Sequence, residues 1–259
     1  MKLFIIGAGP GDPDLITVKG LKLLQEADVV LYADSLVNEE LVNKAKEGAE
    51  VLKTAGMHLE EMVNLMVDRL SEGKKVVRVH TGDPAVYGAI MEQVALLKER
   101  DVEVEVEIIP GVSSVFASAA AVGAELTIPD LTQTVILTRA EGRTPVPEFE
   151  KLKDLAKHQC TIALFLSATL TKKVIKELVS AGWSEDTPVA VVYKATWPDQ
   201  KIVRTTLVNL DEDMKKNGIR KQAMILAGWA LDEHIHTKDY RSKLYDKTFT
   251  HGFRKGLPS

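Results

Sequence analysis

The sequence predicts an α/β fold made of two α/β domains, and three observations predict it. Short apolar runs alternate with stretches of helical periodicity, the pattern of strands joined by helices. Glycine- and proline-rich segments follow directly on three of those runs. A small-residue helix interrupts the alternation near residues 115–125, and the pattern restarts after Gly123. The expected division is residues 1–118 for the first domain, 119–232 for the second, and a tail over 233–259.

Each element follows from its own pattern. Leu3 to Ile6 is an apolar run closing on Gly7, a strand. Pro10 and Pro13 stiffen the loop behind it, so the next helix is expected to start near Asp14, with Ile16, Gly20, Leu23, Leu24 and Ala27 on one face. Val29 to Tyr32 is a second strand. Leu59, Met62, Val63, Met66, Val67 and Leu70 mark the clearest amphipathic helix, its methionines at the spacing of core packing. Val76 to Val79 runs into Thr81-Gly82-Asp83-Pro84, with Val86, Ile90, Val94 and Leu97 in the helix behind. Val102, Val104, Val106 and Ile108 alternate with Glu103, Glu105 and Glu107, which describes a half-exposed strand near a sheet edge with a solvated acidic face. Pro110-Gly111-Val112-Ser113-Ser114 ends it and opens the helix from Val115 to Val122. The second domain carries strands at 134–137, 162–166, 189–193, 202–207 and 224–227, and a helix with Leu170, Val174, Leu178 and Ala181 on one face. The tail from Asp232 onward shows little periodicity. It reads equally as a flexible end or as an arm that packs on a partner subunit.

Composition excludes several functions. The net charge of −4 and pI near 5.9 disfavour a nucleic-acid coat or an anionic-membrane binder. The single cysteine, Cys160, opens an apolar run and reads as a packing residue. No Cys/His cluster has zinc-ligand spacing, so no metal is expected. The apolar start, Met1 to Gly7, is too short for a signal core, and no apolar stretch reaches the length of a membrane span. A cytoplasmic protein with no membrane or nucleic-acid partner is expected.

Three loops carry the chemistry: Gly7-Ala8-Gly9-Pro10-Gly11-Asp12-Pro13, Thr81-Gly82-Asp83-Pro84 and Pro110-Gly111-Val112-Ser113-Ser114. Each lies between a strand and a helix. In a mostly parallel sheet, loops at strand C-termini gather on one edge, where ligands bind. Glycine lets the backbone approach a ligand, and main-chain amides suit anionic groups. The first loop, with Asp34 after the second strand, mimics a dinucleotide fingerprint. That reading is rejected: Asp12 stands where the last glycine belongs, and Pro10 and Pro13 keep the helix from starting inside the turn.

These loops, together with Tyr32-Ala33-Asp34-Ser35-Leu36-Val37 and the continuation Ala85-Val86-Tyr87-Gly88, resemble the tetrapyrrole (corrin/porphyrin) methylase superfamily, in order from Leu3 to about Gly228. Tyr32 through Leu41, Thr54-Ala55-Gly56-Met57, Arg143-Thr144-Pro145-Val146-Pro147-Glu148 and the tail segments 244–247 and 250–254 resemble the branch that methylates C-11 of precorrin-4 or cobalt-precorrin-4 in cobalamin biosynthesis. Asp34 departs from that branch, where a glycine is expected, and matches its sister methylases.

The resemblance implies two α/β domains of the tetrapyrrole methylase type with the cofactor in the inter-domain cleft, in a homodimer. The cofactor would be S-adenosyl-L-methionine, with S-adenosyl-L-homocysteine as product, and the substrate a polycarboxylated tetrapyrrole. Carried over residue by residue, cofactor contacts fall on Pro10, Thr81, Gly82, Asp83, Val86, Ser113 and Ser114. Others fall on Leu166, where relatives often have Met, on Tyr193 and Ala195, and on Ala223 and Met224. Asp83 is expected to accept hydrogen bonds from the cofactor in an exposed loop. Asp34 is the candidate for proton handling, set against a role in ordering its loop. Arg139, Arg143, Lys194 and Lys53 are the candidate grips for substrate carboxylates. His58 and His80 read as hydrogen-bonded structural residues. Another methylase of this fold is the rival reading, acting at a different precorrin position, on uroporphyrinogen III or in diphthine synthesis. A nicotinamide oxidoreductase is a remote one.

Overall fold

The computed structural model describes residues 1–100, 103–235 and 240–258. Val102 of the acidic-faced strand, and 236–239 and 259 of the tail, lie outside the described residues. The chain divides into two compact units. The first is Met1–Ala117 with Lys194–Gln200, and the second is Ser118–Tyr193 with Lys201–Ser259.

The first unit is a parallel five-stranded sheet. Its elements run β1 (Lys2–Gly7), α1 (Val18–Gln25), β2 (Val29–Tyr32), α2 (Glu39–Val42), β3 (Glu50–Lys53), α3 (Leu59–Ser71), β4 (Val76–His80), α4 (Ile90–Lys98) and β5 (Glu105–Ile109), followed by α5 (Ser114–Ala121). The strand order is β3-β2-β4-β1-β5, with every pair parallel. The sheet buries both faces, as parallel sheets do. One face packs Ile6, Val30, Val77 and Val79 against Leu24 of α1 and Leu41 and Val42 of α2. The other packs Leu3, Ile5, Val29, Leu31 and Val76 against Met62, Val63, Met66 and Leu70 of α3 and Ile90, Val94 and Leu97 of α4. The methionines are therefore core. β5 is an edge strand, and its glutamates are ion-paired rather than merely solvated: Lys2 reaches Glu105 at 3.0 Å and Glu107 at 2.8 Å, and Lys19 also pairs with Glu107.

The second unit holds β6 (Val135–Arg139), α6 (Leu152–Leu155), β7 (Thr161–Phe165), α7 (Thr171–Ser180), β8 (Pro188–Tyr193), β9 (Lys201–Thr206), α8 (Leu210–Lys216) and β10 (Ala223–Ala227). Its order is β6-β7-β10-β8-β9, and β6–β7 is the parallel pair of a sheet whose other pairs are antiparallel. Ile162, Leu164, Val189, Val191 and Ile225 pack against apolar residues of α6, α7 and α8. Cys160 is buried and free, and burial pushes its thiol pKa up.

Three local expectations need correction. No helix starts at Asp14. Asp12 caps a single 3-10 turn, Pro13–Leu15; Ile16 is extended, and Thr17 then caps α1 by accepting from Gly20 N. Val86 lies outside α4, because Tyr87 and Ala89 are left-handed at φ 55° and 50° and the helix opens only at Ile90. Leu166 is not the end of a strand: β7 stops at Phe165, and Leu166 turns left-handed at φ 50°. The short elements β3, α2, α6 and α8 carry too few apolar residues for periodicity to mark them.

Candidate active site

The three Gly/Pro loops meet at the C-terminal ends of β1, β4 and β5. Gly82 N donates to Gly9 O at 2.8 Å and Gly9 N returns a bond to Gly82 O at 3.3 Å, an antiparallel bridge between two loops. Ala8 N donates to His80 O at 2.6 Å. The third loop is tied in by Asp83. Its Oδ2 accepts from Gly111 N at 2.9 Å and its Oδ1 from Ala85 N at 2.8 Å. The glycines permit this approach: a Cβ on Gly7 would lie 2.6 Å from both Gly111 Cα and Gly82 O. At Gly82, φ +60°, a Cβ would meet nothing nearer than Ser113 Cα, Ser114 N and Val112 O, each 3.9 Å away. Thr81, Gly82, Ser113 and Ser114 thus meet at a main-chain shelf, where a side-chain carbon on the buried Gly82 would make only ordinary contacts. Asp83 borders it too, but both of its oxygens are engaged by backbone amides, so its first task is to hold the loops rather than to wait for a ligand.

Pro10 and Ala195 come together through residues that sequence reasoning passed over. Trp197 Nε1 donates to Pro10 O at 3.0 Å, and Asp12 N donates to Thr196 Oγ1 at 2.9 Å. A Cβ on Gly11 would collide with the Trp197 ring. Asn38 Nδ2 adds a bond to Gly11 O at 2.9 Å. The available signal was the Ala195-Thr196-Trp197-Pro198 turn after a strand, where a half-buried tryptophan needs a partner for its N–H. Lys194 and Thr196 in this turn are left-handed, at φ 46° and 69°.

Asp34 lies in the loop after β2. Its Oδ1 accepts from Ala55 N at 3.1 Å, which couples that loop to Thr54-Ala55-Gly56-Met57. His58 precedes α3, and its backbone N–H donates to Glu61 Oε2 at 2.8 Å.

In the second unit, strand register places Leu166, Tyr193, Ala223 and Met224 at one sheet edge. Tyr193 pairs with Ala223 and Val192 with Met224, while the β7–β10 register, with Ile225 opposite Leu164, runs on toward Leu166. Gln222, beside Ala223, is left-handed at φ 51°. Left-handed non-glycine residues store strain that the surrounding structure must hold, and such residues gather at binding sites. Tyr87, Leu166, Lys194 and Gln222 each are, or adjoin, a nominated contact.

The nominated cations are largely occupied within the chain. Arg139 donates to the carbonyls of Thr144 and Pro145 at 3.2 and 2.7 Å. Lys53 pairs with Glu39 at 2.6 Å, and Lys194 with Asp199 at 2.7 Å. Arg143 is exposed. Arg78, on β4, was not nominated; it is 5% exposed, and burial pulls its pKa down to about 10. His80, 8% exposed, is pulled down to about 3 by burial and by Arg78. Its Nε2 has no hydrogen-bond partner, against the expectation of a satisfied structural histidine.

Residues 2–211 match the family model of tetrapyrrole (corrin/porphyrin) methylases, and the chain belongs to that family. Among its relatives, a cobalt-precorrin-4 C(11)-methyltransferase of Priestia megaterium is 81% identical, with all of both chains covered. A protein of the same name from Methanocaldococcus jannaschii is 55% identical over 98% of this chain and 96% of its own length. A solved cobalt precorrin-4 methyltransferase of cobalamin biosynthesis superposes with TM-score 0.87 at 80% identity, covering 89% of this chain and 96% of that one. A uroporphyrin-III C-methyl transferase from Thermus thermophilus, solved with S-adenosylhomocysteine, has TM-score 0.73 at 29% identity, covering 89% and 93%. Among the described residues no helix is long and apolar enough to cross a membrane.

Proposed function

We propose that this chain transfers a methyl group from S-adenosyl-L-methionine to C-11 of cobalt-precorrin-4 or precorrin-4 in cobalamin biosynthesis. The observation that carries the reading is the locked triple loop with its main-chain shelf at Gly82, in a chain whose relatives bear that activity in their names. The shelf suits the cofactor: a glycine main chain beside the Thr81 and Ser113 hydroxyls matches a nucleoside with a carboxylate-bearing arm. The cofactor supplies an activated sulfonium methyl of its own.

The chain's part is to bind, orient and shield. Thr81, Gly82, Ser113 and Ser114 border the cofactor, with Pro10, Val86 and Ala195 close by in sequence or contact. Asp83 holds the shelf in shape. Leu166, Tyr193, Ala223 and Met224 are assigned as further cofactor contacts by the family resemblance. Orientation of this kind supplies roughly 7–11 kcal/mol toward the barrier. Asp34, with one oxygen fixed by Ala55 N, keeps its other oxygen to take the proton that the ring sheds. The reading includes a cytoplasmic homodimer, which sedimentation of the purified protein tests.

Anaerobic incubation with cobalt-precorrin-4 and methyl-labelled cofactor is expected to give S-adenosylhomocysteine and a product carrying one labelled methyl at C-11. Methylation confined to uroporphyrinogen III or to another precorrin overturns the assigned position. NADH binding tightly while S-adenosylhomocysteine does not bind overturns the class.

A further inference from the structure

We propose that Arg78, flanked by His80 and Gln93, receives a side-chain carboxylate of the tetrapyrrole substrate. The inference rests on the methyltransferase reading above and adds a binding residue to it.

Arg78 stands in the middle of β4, opposite Ile5 on β1 and Leu31 on β2, on the face covered by α3 and α4. Its Nε and Nη1 are shut off from solvent and have no hydrogen-bond partner. Its guanidinium makes no hydrogen bond or ion pair with any described residue. A buried cation without a counter-charge is among the costliest features a fold can carry, and arginine does not escape by losing its proton.

Two further polar groups share this face. His80, two residues on and therefore on the same side of the strand, has an unpartnered Nε2. Gln93 is 3% exposed; its amide nitrogen donates to Ala89 O at 3.3 Å, and its Oε1 has no partner. Gln93 lies on the buried side of α4, with Ile90, Val94 and Leu97. It is in the first turn and so toward the end of β4 where His80 lies. Three side chains from two neighbouring elements thus leave donors and an acceptor unmet.

An arginine edge matches a carboxylate through two parallel hydrogen bonds. No described residue supplies an anion here. The substrate is the favoured source because of place. Two residues beyond Arg78, β4 ends in the Thr81-Gly82 shelf assigned to the cofactor, so a carboxylate held here tethers the macrocycle beside the methyl donor. Lys53, Lys194 and Arg139 are already engaged by Glu39, Asp199 and backbone carbonyls.

The test is the steady-state kinetics of Arg78→Met and Arg78→Lys with cobalt-precorrin-4 under anaerobic conditions, alongside S-adenosylhomocysteine affinity, thermal unfolding and sedimentation. Wild-type turnover of cobalt-precorrin-4 tests the methyltransferase reading separately. Arg78→Met is expected to raise KM about tenfold or more, with kcat within about twofold, cofactor affinity unchanged and melting temperature equal or higher. Arg78→Lys keeps the charge without the two-pronged geometry and is expected to fall between the two in KM. KM unchanged in both variants overturns the proposal, leaving Arg78 to buried water. Dissociation of a wild-type oligomer in Arg78→Met at unchanged KM also overturns it, and assigns the carboxylate to a second copy. Failure of Arg78→Met to fold overturns it as well, because it would reveal an anion within the chain.

Discussion

Removal of the Asp83 carboxylate is expected to loosen the fold of the first unit as well as its ligand shelf. Asp83→Ala deletes two acceptors, one for Gly111 N at 2.9 Å and one for Ala85 N at 2.8 Å. A hydrogen bond to a charged group contributes about 1.5–3 kcal/mol, with exposed ones at the low end. Ala85 is exposed and the Gly111 amide is part-buried, so the pair together stabilises by about 3 kcal/mol. In a chain of this size that corresponds to roughly 6–12 °C in melting temperature. Asp83→Asn keeps one acceptor, and the expected loss is about half as large. Circular dichroism melts of the three proteins, with calorimetric titration of S-adenosylhomocysteine, read both consequences. The stabilisation and the affinity are expected to fall together, because the Gly111 loop is released from the Gly9–Gly82 bridge. An Asp83→Ala protein that melts within 1–2 °C of wild type would refute the reasoning. It would mean that glycine packing alone holds the three loops.

Gly111→Ala tests that packing directly. The new methyl would sit 2.8 Å from Gly7 Cα and closer still to Gly82 O, and backbone cannot step aside cheaply. A loss of about 1–3 kcal/mol by urea unfolding is expected, and wild-type stability would contradict it. His80 makes a pH prediction. Its folded pKa is depressed to about 3, first by burial and then by Arg78, whereas the unfolded chain titrates near 6.5. The unfolded state therefore binds the extra proton first. Stability is fully present above about pH 6.5 and falls by up to about 1.4 kcal/mol per pH unit as pH drops toward 3. His80→Gln is expected to flatten that slope, and an unaltered slope would assign it to other groups. Leu166→Gly relieves a left-handed leucine that is 71% exposed. Unchanged or higher stability with weaker S-adenosylhomocysteine binding is expected, whereas unchanged binding would remove Leu166 from the site.

Much of this molecule is legible without coordinates. Continuous apolar runs locate β1, β2 and β4, which are buried on both faces, and helical spacing locates α3 and α7, because burial must be written into the residue order of the element that undergoes it. The loops at Gly7, Thr81 and Pro110 are legible for a related reason: glycine and proline restrict or free the backbone locally, wherever they stand. Their ordered succession also places the chain in its family.

What pairs with what was decided by tertiary structure. Nothing in the run Val189 to Tyr193 says that it lies antiparallel to β10. The Trp197–Pro10 bond joins residues 187 apart, and Asp83's hold on Gly111 spans a whole strand and helix. Arg78 reads as one more polar residue in a strand, and only the closing of α3 and α4 over that face makes it a buried cation without a counter-ion among the described residues. Periodicity records that a side chain is to be buried. The partner it meets, or lacks, depends on distant segments whose docking local residue order does not encode.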